Sequence, residues 1–185
     1  MNYLTHQILN SEELEILRSN LDKKEVFWED GKLTAGKHAA ELKNNLQLKR
    51  DSNLSKKYSG LIIKKILSNE LIKSFALPKK IHGTIFTKST KGMKYGKHID
   101  NAYMSSGRAD LSFTIFLNPK NKYEGGALSI MNLNSEEKFK LNAGEIIIYP
   151  STYLHSVEEV LEGERLVFIG WIESYIKSIE EREYL

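Results

Sequence analysis

The chain has 185 residues, 41% of them hydrophobic and 28% charged, a length and composition that suit one globular domain with a core of its own. It has no cysteine, which excludes a disulfide framework, thiolate metal sites and cysteine nucleophiles, so any metal must be held by nitrogen and oxygen. The formal charge of +3 is too small to announce a nucleic-acid binder, and neither an apolar run of membrane-spanning length nor a secretory leader is visible, so we expect a cytoplasmic protein without nucleic-acid or membrane partners.

Ser11 reads as a helix N-cap, followed by Glu12 and Glu13, whose charges suit the helix dipole, and by an apolar set at Leu14, Leu17 and Leu21. Residues 26–28 read as a short strand entering a turn at Asp30-Gly31. Leu54, Tyr58, Leu61, Ile62 and Ile66 then recur at helical spacing with Lys57, Lys64 and Lys65 between them, giving one buried and one wet face. Pro78 closes this helical portion. Charge is unevenly spread: residues 51–100 hold 11 Lys and Arg against 3 Asp and Glu, net +8, whereas residues 151–185 hold 3 against 8, net −5. Either Lys56, Lys57, Lys64, Lys65, Lys79 and Lys80 are solvated faces, or they form a basic rim that attracts an acidic substrate.

From about residue 81 the texture changes to short β-rich runs split by Gly92, Asn118-Pro119, Gly125-Gly126, Asn142-Ala143-Gly144 and Gly163. Strands are predicted near residues 82–88, 110–117, 127–131, 145–149 and 165–172. That succession suits an α+β fold: a jelly-roll or cupin-like double sheet with the earlier helices packed on one face. We expect a single domain, with residues 1–80 as mainly helical support and 81–185 as the β core, since no repeat or linker marks a boundary.

His98 and Asp100 form an H-x-D pair, and in an extended segment residues two apart project to the same face. Alone the pair is weak evidence, because five His and five Asp give about 0.14 such pairs by chance. His155 lies on the far side of the β-rich region, with Arg165 ten residues later. Two imidazoles and a carboxylate leave one face of an octahedron open, the facial triad of non-haem iron(II) oxygenases. A 2-oxo acid can chelate there, and the fork of Arg165 can bind the far carboxylate of 2-oxoglutarate through two charge-assisted hydrogen bonds.

The run Tyr95-Gly96-Lys97-His98-Ile99-Asp100, then Arg108-Ala109-Asp110-Leu111-Ser112, Tyr123-Glu124-Gly125-Gly126, Ala143-Gly144, Tyr149-Pro150-Ser151 and Leu154-His155, resembles the PKHD-type hydroxylases, relatives of the prolyl 4-hydroxylases. Upstream, Trp28, Asp30-Gly31, Thr34, Gly36 and Lys43-Asn44-Asn45 are similar to that family too, so the resemblance runs from about residue 26 to 176. It implies a double-stranded β-helix, iron ligands at His98, Asp100 and His155, and 2-oxoglutarate binding at Arg165. The implied cofactors are Fe(II), 2-oxoglutarate as co-substrate and O2, with ascorbate as an optional addition. The implied reaction is dioxygenase hydroxylation of a C–H bond, of a prolyl or other amino-acid side chain, free or in a peptide, with release of succinate and carbon dioxide. Where the family usually has Arg-Tyr on the strand before the H-x-D motif, this chain has Lys88-Ser89; Tyr149 could then offer its hydroxyl to the co-substrate.

Rival readings are a zinc or manganese cupin-like enzyme, which needs no carboxylate anchor opposite the metal, and a non-catalytic binding or sensing module on the same fold. His6, His38 and His82 have no partner motif and are expected in ordinary surface or core roles. Residues 101–107, which follow Asp100 directly and lack periodicity, are expected to form a mobile cover over the site.

Overall fold

The chain begins with β1 (Leu4–Gln7) and α1 (Ser11–Leu21), followed by β2 (Trp28–Asp30), α2 (Lys37–Leu42), β3 (Lys43–Asn44) and β4 (Leu46–Leu48). Two adjoining helices, α3 (Asn53–Ser68) and α4 (Glu70–Ala76), lead into β5 (Pro78–Thr90) and β6 (Lys94–His98). The short pair β7 (Tyr103–Met104) and β8 (Gly107–Arg108) precedes β9 (Leu111–Phe116), β10 (Tyr123–Gly125), β11 (Leu128–Met131) and β12 (Glu136–Phe139). The chain then runs through β13 (Glu145–Pro150), β14 (His155–Val157), β15 (Val160–Ser174) and α5 (Ile179–Tyr184). This structure, a computed structural model, describes residues 3–34, 37–131 and 135–184; Gly36 and the side chain of His38 lie outside the described residues.

The larger sheet has the order β1-β13-β9-β15-β5-β4-β2, with β10 paired to β15, and the smaller has the order β12-β11-β14-β6-β3. Every pairing within the two is antiparallel. They make a jelly roll, and alternation along its strands builds two cores. On one face of the larger sheet, Phe113, Ile115, Ile146, Ile148, Leu166 and Phe168 pack with Leu14, Leu17 and Leu21 of α1 and with Ile62 and Ile66 of α3. On the other, Phe116, Ile147, Tyr149 and Val167 meet Leu128 and Ile130 of the smaller sheet. Burial on both faces explains why these strands read as nearly continuous apolar runs. Each large side chain so buried contributes roughly 1.5–3 kcal/mol.

Local chemistry sets the helix ends. Asn10, rather than Ser11, caps α1: its side chain accepts from the Glu13 amide while the Glu13 carboxylate accepts from the Asn10 amide, a reciprocal capping box. Asn69 ends α3 and caps α4 through the Ile72 amide, so the helical portion before Pro78 is broken in two. The strand expected at residues 26–28 lies at Trp28–Asp30, where it pairs with β4. No helix among the described residues is long and apolar enough to cross a membrane.

Candidate active site

Between the sheets lies a cavity of about 840 Å³, lined from the smaller sheet by Tyr95, His98 and His155 and from the larger by Ser89, Tyr149 and Arg165. His98 ends β6, His155 begins β14, and the two are register partners with ring centroids 4.3 Å apart. Each ring is oriented by its own strand. His98 Nδ1 lies 2.8 Å from the Gly96 carbonyl and His155 Nδ1 lies 2.9 Å from the Tyr153 carbonyl. A carbonyl only accepts, so both Nδ1 atoms carry the proton and both Nε2 lone pairs are free.

Those lone pairs meet Asp100, which follows β6. His98 Nε2 is 3.7 Å from Asp100 Oδ1, and His155 Nε2 is 3.7 Å from Oδ2. These separations are too long for hydrogen bonds, so the three side chains are not a hydrogen-bonded cluster. Adjacent donors around an ion with bonds of about 2.1 Å stand about 3 Å apart, so an ion needs only a small inward movement of the groups. The donor set of two imidazole Nε2 atoms and one carboxylate therefore fits a divalent iron. Oδ2 also accepts from Ser112 Oγ at 2.6 Å and Trp171 Nε1 at 2.9 Å, and Ser112 is bonded in turn to Ser151 at 2.8 Å. Burial, then the neighbouring His155, pulls the His98 pKa down to about 4. Tyr95 stacks on His98 at 3.8 Å, and burial followed by the Asp100 charge lifts its phenol to about 12.

Arg165, on β15, is only 3% exposed. It belongs to no ion pair among the described residues, and its Nε is buried without a hydrogen-bond partner. Its sequence neighbour Glu164 pairs instead with Lys88 at 3.1 Å. Burial lowers the Arg165 pKa, opposed by the Tyr123 and Tyr149 phenols beside it. The Tyr123 hydroxyl is likewise buried and unsatisfied. A buried guanidinium with no counter-charge beside an unsatisfied phenol is a site prepared for an anion. Tyr149 meets His155 edge-on at 5.3 Å, and burial, then Asp100, raises its phenol well above the usual range.

The structure thus brings His98, Asp100, His155, Arg165 and Tyr149 to one cavity. Sequence reasoning missed Ser112 as an orienting group, Tyr123 beside Arg165, and Lys43, which lines the cavity at 5% exposure. It gave Trp171 no part in holding the metal ligands. Ser112 and Trp171 are register partners on β9 and β15, so inward alternation was the available signal. His82 stands outside the triad and fastens the β7–β8 hairpin through Ser106 Oγ at 2.8 Å and the Arg108 carbonyl at 2.9 Å.

The family model of the 2OG-Fe(II) oxygenase superfamily matches residues 84–173, which include all five of these residues. A PKHD-type hydroxylase of Prochlorococcus marinus (strain MIT 9215) is 73% identical over 185 residues, spanning the whole of this chain and 84% of that protein. Among solved structures, a prolyl hydroxylase from Trichoplax adhaerens in complex with a hypoxia inducible factor peptide fragment aligns with a TM-score of 0.66 at 16% identity, over 99% of this chain and 86% of that one. HygX from Streptomyces hygroscopicus with nickel, 2-oxoglutarate and hygromycin B bound aligns with a TM-score of 0.65 at 10% identity, over 95% and 84%. The chain therefore belongs to the PKHD-type hydroxylases, 2-oxoglutarate- and iron(II)-dependent dioxygenases of the 2OG-Fe(II) oxygenase superfamily.

Proposed function

We propose that residues 1–185 act as one catalytic domain in which His98, Asp100 and His155 hold iron(II) and Arg165 holds 2-oxoglutarate. When bound, iron(II) with 2-oxoglutarate and dioxygen supplies the oxidation of an unactivated C–H bond, the oxo acid leaving as succinate and carbon dioxide. The observation that carries this reading is the buried guanidinium of Arg165, in the same cavity as the triad, in no ion pair among the described residues and with its Nε unsatisfied. A structural zinc or a bare metal cluster has no use for it, whereas a dicarboxylate needs a fixed cation at its remote end.

The protein's part is positioning. Ser112 and Trp171 hold Asp100 Oδ2, the Gly96 and Tyr153 carbonyls set the imidazole tautomers, and the Tyr123 and Tyr149 phenols stand ready to donate to the carboxylate at Arg165. The cavity has room for a second molecule beside the co-substrate. That molecule is a prolyl or other amino-acid side chain, free or in a peptide; the Trichoplax prolyl hydroxylase is in complex with a peptide fragment and HygX has hygromycin B bound, so the fold accommodates both kinds of molecule. Ascorbate would serve as an external reductant that returns the metal to the divalent state.

Succinate release measured across free amino acids and peptides, with iron(II), 2-oxoglutarate and air, tests the proposal. Succinate that rises with one substrate and tracks a hydroxylated product is expected. Succinate formation that no candidate stimulates, with no hydroxylated product from any, would count against it.

A further inference from the structure

Five cations line the cavity, and they differ in what balances them. Lys94 pairs with Glu159 at 3.4 Å and Lys97 stands 3.9 Å from Glu136. Arg165 has the role proposed above. Lys43 and Arg50 remain, and neither forms an ion pair among the described residues.

Lys43 extends from β3 and is 5% exposed. Among the described residues its ammonium makes one hydrogen bond, to Thr34 Oγ1 at 3.3 Å, and it lies 5.5 Å from the centre of the Tyr95 ring. Arg50 donates one Nη2 bond to the Gly83 carbonyl at 3.1 Å. Burial and then the positive charge of Arg50 hold the Lys43 pKa down at about 8, while the Asp100 and Asp30 carboxylates act in the opposite sense without forming an ion pair with it. The charges acting on Lys43 are those of Arg50, Asp100 and Asp30, whereas Tyr123 and Tyr149 act on Arg165. Two cations of the cavity wall besides Arg165 thus have no acid within ion-pair distance among the described residues, and 2-oxoglutarate held at Arg165 does not account for them.

We propose that the primary substrate carries a carboxylate that seats between Lys43 and Arg50, which restricts the substrate class to acids. The inference rests on the reading of the triad and Arg165 given above. A buried lysine without an ion-pair partner carries a desolvation penalty, and an anion held by it and by Arg50 offsets that penalty. The acid is a carboxylate rather than a phosphate ester because the Asp100 and Asp30 carboxylates acting on Lys43, and Glu29 acting on Arg50, weaken the field of the two cations and disfavour a dianion. Leu42 and Ile99, exposed at the cavity wall beside the cations, would cover the apolar part of the same molecule.

The test is anaerobic calorimetry on the protein loaded with iron(II) and 2-oxoglutarate. The probes are a set of N-acetyl amino acids, each as free acid and as its amide, with O-phosphoserine as the phosphate arm. At least one acid should bind at least roughly tenfold more tightly than its amide. Arg50→Gln and Lys43→Gln should each remove that preference while titration of 2-oxoglutarate itself is unchanged. Lys43→Gln alters a buried position, so Arg50→Gln, at the exposed end of the pair, carries the test if the first variant misfolds. The inference is overturned if no acid outbinds its amide, if the preference survives in folded variants, or if O-phosphoserine outbinds every carboxylate. Failure of iron(II) or 2-oxoglutarate to bind at all would instead defeat the underlying reading.

Discussion

Trp171 donates its indole N–H to Asp100 Oδ2 across 2.9 Å, and Ser112 donates its hydroxyl to the same oxygen at 2.6 Å. The two bonds fix the carboxylate before any ion arrives. Trp171→Phe and Ser112→Ala should each weaken iron(II) binding by about tenfold or more, as loss of a group that orients a metal ligand does. His98→Ala, Asp100→Ala and His155→Ala should abolish it while leaving the protein folded. Anaerobic metal titration with circular dichroism of each variant checks this, and wild-type affinity in any of the three would remove that residue from the metal site.

Gly126 takes a φ of +64°, and a Cβ there would lie 3.1 Å from Arg165 Cδ and 3.0 Å from Val160 Cγ2. Both the backbone and the space favour glycine. Gly126→Ala should destabilise the fold by about 1–3 kcal/mol and raise the KM for 2-oxoglutarate by pushing on Arg165, with iron(II) affinity unchanged. Denaturant melts and steady-state kinetics report the two effects; an unaltered KM would show that Arg165 tolerates the added methyl.

The pH dependence of the metal-free protein should report on His98. Unfolded, the imidazole titrates near its ordinary value of about 6.5; folded, burial and His155 hold it at about 4. Between these values the unfolded chain binds a proton that the folded chain does not, so stability rises with pH across the window. The contribution is complete above about 6.5, is lost as pH falls toward 4, and changes no further below that. Thermal melts of the metal-free protein should decline across this window more steeply for wild type than for His98→Asn. Parallel slopes would mean that His98 is not held neutral by the fold.

Residues 101–107 were expected to have little to pack against, yet they enter a β7–β8 hairpin fastened by the two nitrogens of His82, with the Ala109 amide bonded to the Ala102 carbonyl. Tyr103 nevertheless stands 75% exposed beside the cavity. His82→Ala should speed amide exchange across residues 103–108 by about tenfold or more. Exchange equal to that of wild type would mean that the hairpin does not depend on the histidine.

The long strands were legible because each buries both faces: the runs around Ile147 and Phe168 have no polar side to confuse the reading, and the run around Ile115 is broken only by the small residues Ser112 and Thr114. The smaller sheet was harder, since β3, β12 and β14 are two to four residues long and are held by partners distant in sequence. Helix α2, six residues long, gave no periodicity to read. In the site, His98, Asp100, His155 and Arg165 carry distinctive chemistry and spacing. Lys43 and Tyr123 do not, because a lysine or tyrosine becomes informative only once burial and the absence of a partner are known.

We propose that Arg165 anchors the remote carboxylate of 2-oxoglutarate beside a separately held iron. Anaerobic calorimetric titration of 2-oxoglutarate into iron(II)-loaded wild type, Arg165→Ala and Arg165→Lys tests it most directly. Loss of a bidentate charged contact should weaken binding by about a hundredfold in Arg165→Ala, with partial recovery in Arg165→Lys, whose point charge lacks the fork, and with iron(II) affinity unchanged throughout. If Arg165→Ala binds 2-oxoglutarate as tightly as wild type, the co-substrate is anchored elsewhere and the account is wrong.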